Sequence, residues 1–315
     1  LLSIVRFYWC CSLLLPAFFP CLDKAEGPVI HSEKRGQDKM EPIINLEKCI
    51  GCGACARDCL RSLFVVENGK SHMTEGICIQ CGHCVAVCPM DAIRLDGAPE
   101  EEISPYDPAA FDIPADHLLN FMKFRRSIRQ FQNKPVEEEK IAALLEAARY
   151  APTGGNQQKT RYILLDRQKD EMVGLALKTL YEAADRIDTD PALRGLKRYQ
   201  PKWRSLYPAW KEQGKDGLFF HASRVLLVVS CFPKGGTGRL DAGLASANVE
   251  LLAHALGLGV CYIGFFNMAA ALEPEIYQRL GIRKEEEVVS TMAIGYPAVK
   301  YHRTVNRNPA ELTRL

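Results

Sequence analysis

Eight of the thirteen cysteines obey one spacing, used twice. The first run is Cys49-x2-Cys52-x2-Cys55-x3-Cys59, and Cys78-x2-Cys81-x2-Cys84-x3-Cys88 repeats it at an offset of 29 residues. Three thiols two residues apart force the chain into a tight loop around one face of a metal–sulfur cube, the spacing of iron–sulfur ligation. A pair of zinc knuckles is the competing reading, because C-x2-C also serves zinc. Zinc needs four ligands per site and leaves the triple runs unexplained, so [4Fe–4S] chemistry is expected. A segment of this size is too small to fold around apolar side chains alone, and the metal supplies folding energy.

The runs resemble those of two-cluster bacterial ferredoxins. The resemblance implies crossed ligation, in which the fourth cysteine of each run serves the other cluster. One [4Fe–4S] centre would then take Cys49, Cys52, Cys55 and Cys88, and the second Cys78, Cys81, Cys84 and Cys59. The similarity of Cys-Ile-Gly-Cys-Gly-Ala-Cys to Cys-Ile-Gln-Cys-Gly-His-Cys implies a duplicated half-domain. The second run ends Cys88-Pro89, as these ferredoxins do; the first ends Cys59-Leu60. His83, between ligands, is expected in a solvated loop.

With 315 residues, the chain has room for two domains. Its 47% apolar and 25% charged content, with net charge +2, is that of an ordinary globular protein. That balance speaks against a nucleic-acid or membrane partner. Clusters are fragile under oxidation, so a reducing cytoplasm is expected. Residues 1–39 contain an apolar stretch from Phe7 to Leu22 behind a single Arg6. It has a thin basic region, no small-residue cleavage site and two prolines, so it reads as a leader or translated upstream sequence outside the fold, with Met40 as the start.

The expected organisation is a cluster domain at 40–95, an acidic, Pro- and Gly-containing linker at 96–116, and a second domain at 117–315. In the second domain, Pro135-Val136 is expected to open a helix, with Ile141, Leu144, Leu145 and Ala148 on one face. Tyr162–Leu165, Arg224–Cys231 and Val288–Tyr296 read as strands, and Asp241–Leu256 as a helix closed by Gly257 and Gly259. The helical region from Gln168 to Phe220 is expected to shape substrate access. The fold class is α+β, with one central sheet flanked by helices in the second domain.

Four segments carry chemistry there. Arg125-Arg126-Ser127-Ile128-Arg129 concentrates guanidinium groups and a hydroxyl suited to a phosphate, although taken alone it reads first as a solvated basic helix end. Pro152-Thr153-Gly154-Gly155-Asn156-Gln157-Gln158 offers free backbone and amides to a planar ring. Gly243–Gly259 precedes Tyr262-Ile263-Gly264-Phe265, and Ile294-Gly295-Tyr296-Pro297 precedes Arg303 and Arg307. In this order the four segments resemble the nitroreductase family. The resemblance implies FMN, held by both subunits of a homodimer. Its phosphate would meet Arg125, Arg126, Ser127, Arg129 and either Arg303 or Arg307, with Arg307 the better aligned. Its ring would meet Pro152, Thr153, Asn156, Gln158 and the backbone at Ile263 and Gly264. No side-chain nucleophile is implied, since the flavin carries the hydride.

The two halves together suggest an oxidoreductase that passes single electrons from two [4Fe–4S] clusters to FMN. The acceptor would be a small organic molecule such as a nitroaromatic, quinone or activated alkene, and the source an external ferredoxin or other low-potential donor. The first alternative is direct reduction of FMN by NAD(P)H, the clusters being accessory; no G-x-G-x-x-G fingerprint is present. The second is an electron-transfer or redox-sensing protein without turnover. Cys231 and Cys261 read as core residues. Trp203, Tyr207 and Trp210 fall at helical spacing and read first as core, then as a platform for substrate.

Overall fold

A computed structural model describes residues 41–231 and 236–315. The leader and Met40 lie outside the described residues.

The cysteine-rich part repeats one unit. Strand β1 (Pro42–Ile44) precedes the first cysteine loop, helix α1 (Ala54–Asp58) and strand β2 (Phe64–Glu67); β3 (Lys70–Met73), α2 (His83–Ala86) and β4 (Ile93–Leu95) follow in the same order. The halves clasp each other, β1 pairing antiparallel with β4 and β2 with β3. The backbone repeats as well: Gly53 and Gly82 cap α1 and α2 with left-handed φ of 71° and 73°. Gly51 at φ 65° is answered by Gln80 at φ 55°. A Cβ at Gly51 would stand 2.2 Å from the Gly69 carbonyl oxygen. Glycine is therefore obligatory at 51, while 80 tolerates a side chain at the cost of left-handed strain. His83 opens α2 rather than lying in a loop, because Gly82 already starts the helical turn; it is exposed, 3.5 Å from Asp58.

After β4 come the short helix α3 (Pro108–Phe111), capped by the Asp107 side chain, and α4 (Ala115–Phe124). Helix α5 (Glu138–Arg149) starts three residues after Pro135, since Pro135-Val136 lies in the extended entry. The second part is built on an antiparallel sheet in the order β5–β6–β8–β7, comprising β5 (Thr160–Leu165), β6 (Arg224–Cys231), β7 (Gly259–Tyr262) and β8 (Glu286–Gly295). The region between β5 and β6 is helical, with α6 (Lys169–Arg186), a 3-10 stretch at Pro191–Tyr199 and α7 (Gln200–Gln213). Helix α8 (Gly238–Ala255) precedes β7, and α9 (Gly264–Leu272) and α10 (Pro274–Arg279) follow it.

Two apolar cores lie against the sheet. Ile141, Leu144 and Ala148 of α5 join Ala242, Ala245 and Val249 of α8 in one core. Leu177, Leu180 and Trp203 join Phe266 and Leu227 in the other. β6 contributes to both through alternate residues, Leu226 and Val228 to the first core, Leu227 and Val229 to the second. Its continuous apolar run follows from burial on both faces. Trp203 is fully buried, and Tyr207 stacks on Trp210 with centroids 6.1 Å apart, so this stripe is packed core. Cys261 is buried and Cys231 partly so, consistent with core roles.

Candidate functional site

Cluster cages come first, because the repeat fixes them. One hollow is lined by Cys49, Cys52, Cys55 and Cys88 together with Ser71, Pro89 and Ile93. A second is lined by Cys59, Cys78, Cys81 and Cys84 with Pro42, Leu63 and Phe64. The fold thus brings the eight thiols together as two sets of four, each set taking one cysteine from the other run. Among the described residues, no group of three or more His, Cys, Asp or Glu side chains is arranged to hold a single metal ion. The thiols surround a volume instead of converging on a point, and that shape fits a four-iron cube.

Amide donors line the cages. Gly51 N–H donates to Cys49 Sγ at 3.5 Å, and Gln80 N–H to Cys78 Sγ at 3.3 Å. Leu63 N–H and Ala92 N–H do the same for Cys59 and Cys88, at 3.5 and 3.3 Å. Ser71 N–H gives Cys49 Sγ a second bond at 3.3 Å, and Ser71 Oγ lies 3.2 Å from Cys55 Sγ. The amides of Ser71 and Gly51, against opposing burial and with help from Lys70, hold the Cys49 thiol below its ordinary range. Burial pushes the Cys84 thiol up to about 11. A thiolate there requires a cation, which an iron cluster supplies.

A second cluster of polar groups gathers around α8. Its Glu250 is buried and forms an ion pair with Arg125. Burial raises the Glu250 carboxyl above its ordinary range, with Arg125 opposing. The next guanidinium, Arg126, donates through Nη1 to the carbonyls of Lys123 and Arg125 at 2.9 and 2.6 Å. Its Nη2 is buried with no hydrogen-bond partner. An unmet cationic donor of this kind calls for an anion. Arg129 reaches the Cys261 thiol, although burial dominates there and pushes the thiol up. Ser127 forms a parallel bridge with Val260, and Ile128 N–H bonds the Val260 carbonyl at 3.0 Å. That pairing places Arg125–Arg129 along β7, whose end leads directly into Ile263 and Gly264.

At the other end of α8, Asp241 is buried. Its Oδ1 accepts from Gly154 N–H at 3.2 Å and its Oδ2 from Thr237 Oγ1 at 3.1 Å. A Cβ at Gly154 would sit 2.1 Å from Thr237 Oγ1, so only glycine fits. Asp241 therefore fastens the turn holding Pro152, Thr153, Asn156 and Gln158. Thr153 Oγ1 closes this turn by accepting from Gln158 N–H at 3.1 Å. Gly155, Asn156 and Gln158 all have left-handed φ, of 58°, 54° and 50°. Glu250 lies nine positions after Asp241 on α8, or roughly 13 Å at 1.5 Å per residue. The amide-bearing turn and the arginine segment thus meet two ends of one stretch of α8, a candidate cradle for a ring joined to a phosphate.

Several expected residues sit differently from this cradle. Arg303 and Arg307 lie in the exposed, coil-like C-terminal segment, where Arg307 donates to the neighbouring Asn306 carbonyl at 3.5 Å. Asn156 turns its amide toward the cysteine loop, donating to the Ile79 carbonyl at 3.1 Å and the Gln80 carbonyl at 2.9 Å. Glu250, Asp241, Thr237 and Ser71 were not singled out from the sequence. Two acids among the small residues of α8 were a usable signal, since a buried acid needs a partner.

The nitroreductase family model matches residues 122–296, more than half the chain. The 4Fe-4S dicluster domain model matches residues 33–93. A protein of Archaeoglobus fulgidus, provisionally described as an NADH dehydrogenase/NAD(P)H nitroreductase, is 24% identical over 188 residues, 58% of this chain and 86% of that protein. The DNA-directed RNA polymerase subunit Rpo3 of Methanosarcina mazei is 34% identical over 61 residues, 18% of this chain and only 23% of that subunit. Among solved structures, an FMN-dependent nitroreductase from Clostridium difficile R20291 is 19% identical, with a TM-score of 0.48 over 64% of this chain and 100% of its own. A nitroreductase with bound FMN from Bacteroides fragilis is 23% identical, with a TM-score of 0.48 over 62% of this chain and 98% of its own.

Proposed function

The chain belongs to the nitroreductase family and carries an N-terminal 4Fe–4S ferredoxin-type domain, and from that premise we propose an electron relay to a small organic acceptor. In this reading the protein is an oxidoreductase with two [4Fe–4S] clusters and one FMN per chain. Loaded with these groups, it has one-electron carriers beside a cofactor that delivers electrons in pairs. The acceptor is a nitroaromatic, quinone or activated alkene, and the donor a low-potential one-electron carrier such as a ferredoxin.

The observation that carries this reading is the contact of Asn156 with the Ile79 and Gln80 carbonyls. It sets the loop between two cage cysteines against the turn that borders the cradle. The thiols of Cys49, Cys52, Cys55 and Cys88 hold one cluster, and those of Cys59, Cys78, Cys81 and Cys84 the other. Arg126, Ser127 and Arg129 bind the flavin phosphate, the open Nη2 of Arg126 taking a phosphate oxygen. Arg125, paired with Glu250, fixes the course of that segment behind them. Pro152, Thr153, Gln158 and the backbone at Ile263 and Gly264 border the ring. Arg303 or Arg307 adds a charge from the C-terminal segment.

A homodimer belongs to the same proposal. Helix α4 has no buried residue, and Leu118, Leu119 and Met122 are exposed on it. Leu240 and Leu244 of α8 are exposed as well. A second copy of the chain would remove this apolar surface from water.

The test is anaerobic. Clusters are reduced with a low-potential donor, and flavin bleaching and nitroaromatic turnover are followed in the intact chain and in a Cys49→Ala/Cys81→Ala variant. The relay predicts bleaching and turnover that depend on the clusters; equal rates in the variant would refute it. A second reading, NAD(P)H as direct donor, takes its support from the description given to the archaeal relative. It predicts flavin bleaching by NADH or NADPH that survives loss of the clusters.

A further inference from the structure

Building on the relay just proposed, we infer that electrons leave the N-terminal domain through the cage of Cys59, Cys78, Cys81 and Cys84. Asn156 is the positioning residue that holds this cage's loop against the C-terminal domain and raises the potential of its cluster.

Three observations carry the inference. The first is a continuous line of hydrogen bonds. Asn156 Nδ2 donates to the Ile79 carbonyl at 3.1 Å, and that carbonyl belongs to the same peptide group as Gln80 N–H. Gln80 N–H in turn donates to Cys78 Sγ at 3.3 Å. A donor on the carbonyl side of a peptide polarises its N–H and strengthens the bond on the far side. A side chain of one domain therefore acts on a ligand sulfur of the other.

The second is an asymmetry in the repeat. Cys49 Sγ receives two amides, from Gly51 and Ser71, at 3.5 and 3.3 Å. The residue 29 positions before Ser71 is Pro42, which lines the Cys78 cage and has no N–H to give. Among the described residues, Gln80 is thus the one backbone donor to Cys78 Sγ, and it is the donor Asn156 polarises. Hydrogen bonds to the sulfurs set cluster potentials, favouring the reduced and more negative state.

The third concerns exposure and strain. Ile50, at the repeat position equivalent to Ile79, is 60% exposed, whereas Ile79 is half-buried where the Asn156 turn meets it. The first cage turns its loop to solvent, the side on which an external donor arrives. Gln80 and Asn156 hold left-handed φ on both sides of the contact, of 55° and 54°. Asparagine adopts this region readily, but in glutamine it marks a conformation that surrounding contacts enforce.

Electrons balance simply. Each cluster gives up one electron previously taken from the low-potential donor. The two electrons, with two protons from water, complete one two-electron reduction beyond Asn156.

The test uses the full chain with both clusters and flavin. Asn156→Ala, and Asn156→Asp, which keeps the shape but replaces the donor with an acceptor, are compared with the unaltered protein. Potentiometric titration followed by electron paramagnetic resonance is made with each variant alone, in a Cys52→Ala background and in a Cys81→Ala background. The expected result is a lower midpoint potential for the Cys78 cluster, seen with Cys52→Ala and absent with Cys81→Ala. Bleaching of the flavin by pre-reduced clusters should slow by about tenfold or more, as expected for a misplaced reacting partner. Hydrogen exchange at Gln80 in the doubly loaded chain serves as the readout should a one-cluster background not fold, with faster exchange expected in both variants. Equal shifts in both clusters, or unchanged potential, exchange and bleaching, would overturn the inference while leaving the relay standing. Unaltered protein whose reduced clusters never bleach the flavin would defeat the relay, and this inference with it.

Discussion

Between Pro42 and Leu95 the buried apolar cluster is Cys55, Leu63, Phe64, Cys84 and Ile93, and two of these five are cage thiols. The C-terminal part instead buries two apolar cores, one on each face of a four-stranded sheet, drawn from six helices and all four strands. The first half has almost nothing to bury except the walls of its cages. The second rests mainly on apolar area and buries a few charged groups as well, Asp241 and Glu250 on α8 and Glu286 in the sheet. A protein assembled from both kinds of stabilisation should come apart in two distinct ways.

The largest expected effect separates them directly. Anaerobic removal of iron should abolish hydrogen-exchange protection across β1–β4, because cluster binding is the folding energy of that domain. Protection in β6 and β8 should survive. Equal loss in both halves would show that the C-terminal cores depend on the clusters.

The converse experiment is Leu227→Ala in the fully buried centre of β6. It should cost about 2–5 kcal/mol in a denaturation midpoint, the usual range for a leucine cavity. Cluster absorbance below the transition should be unchanged.

A smaller effect sharpens the contrast within the second half. Glu286 and Glu250 are both buried and both face arginine, yet they shift in opposite directions. At Glu286 burial alone would raise the carboxyl, but Arg161 and the Arg283 amide outweigh it, and the result is below the ordinary range. Two Arg161 bonds, at 3.0 and 2.6 Å, account for this. At Glu250 burial outweighs Arg125, and the carboxyl stays above its ordinary range. Lowered in the folded state, Glu286 contributes stability at neutral pH that is lost as pH falls through the carboxylate range. Raised in the folded state, Glu250 contributes stability at acid pH that is lost as pH rises through its folded value. Glu286→Gln should therefore cost about 1–3 kcal/mol at neutral pH and progressively less in acid. Glu250→Gln should flatten the decline at rising pH. Urea titrations across pH 4–8 check both, and parallel profiles for the two variants would contradict the assignment.

The smallest effect closes the comparison. Lys48 and Asp91 pair at 3.3 Å on the surface of the cluster domain, both well exposed. Lys48→Ala should change its stability by no more than about 0.5 kcal/mol, since exposed pairs contribute little. A loss comparable to iron removal would mean that surface charge, rather than metal, holds this half together.

Much of the fold was legible because its signals are local. The continuous apolar run Arg224–Cys231 marked a buried strand, and the observed strand has those bounds. The helix expected over Asp241–Leu256 forms as Gly238–Ala255, its small residues packing against the sheet. Boundaries moved where backbone chemistry decided them: α5 begins after Pro135-Val136, and β5 gains Thr160 and Arg161 from its pairing with β6. Arg125 is a sharper case. A run of arginines reads as a phosphate site, but a buried acid 125 residues away has claimed one of them.

Cysteine spacing by itself marked the two three-thiol loops, because the reach of a short loop around a cube depends on how many residues separate its thiols; the fold brought the fourth thiol of each set from the other run. The residue types of the cradle were likewise visible along the chain. Only the tertiary structure decided which amides reach which sulfurs, which guanidinium keeps an open donor, and that Asn156 spans two domains. Those outcomes depend on angles and distances between segments far apart in sequence, and hydrogen bonds are too short-ranged and directional for composition or periodicity to specify them.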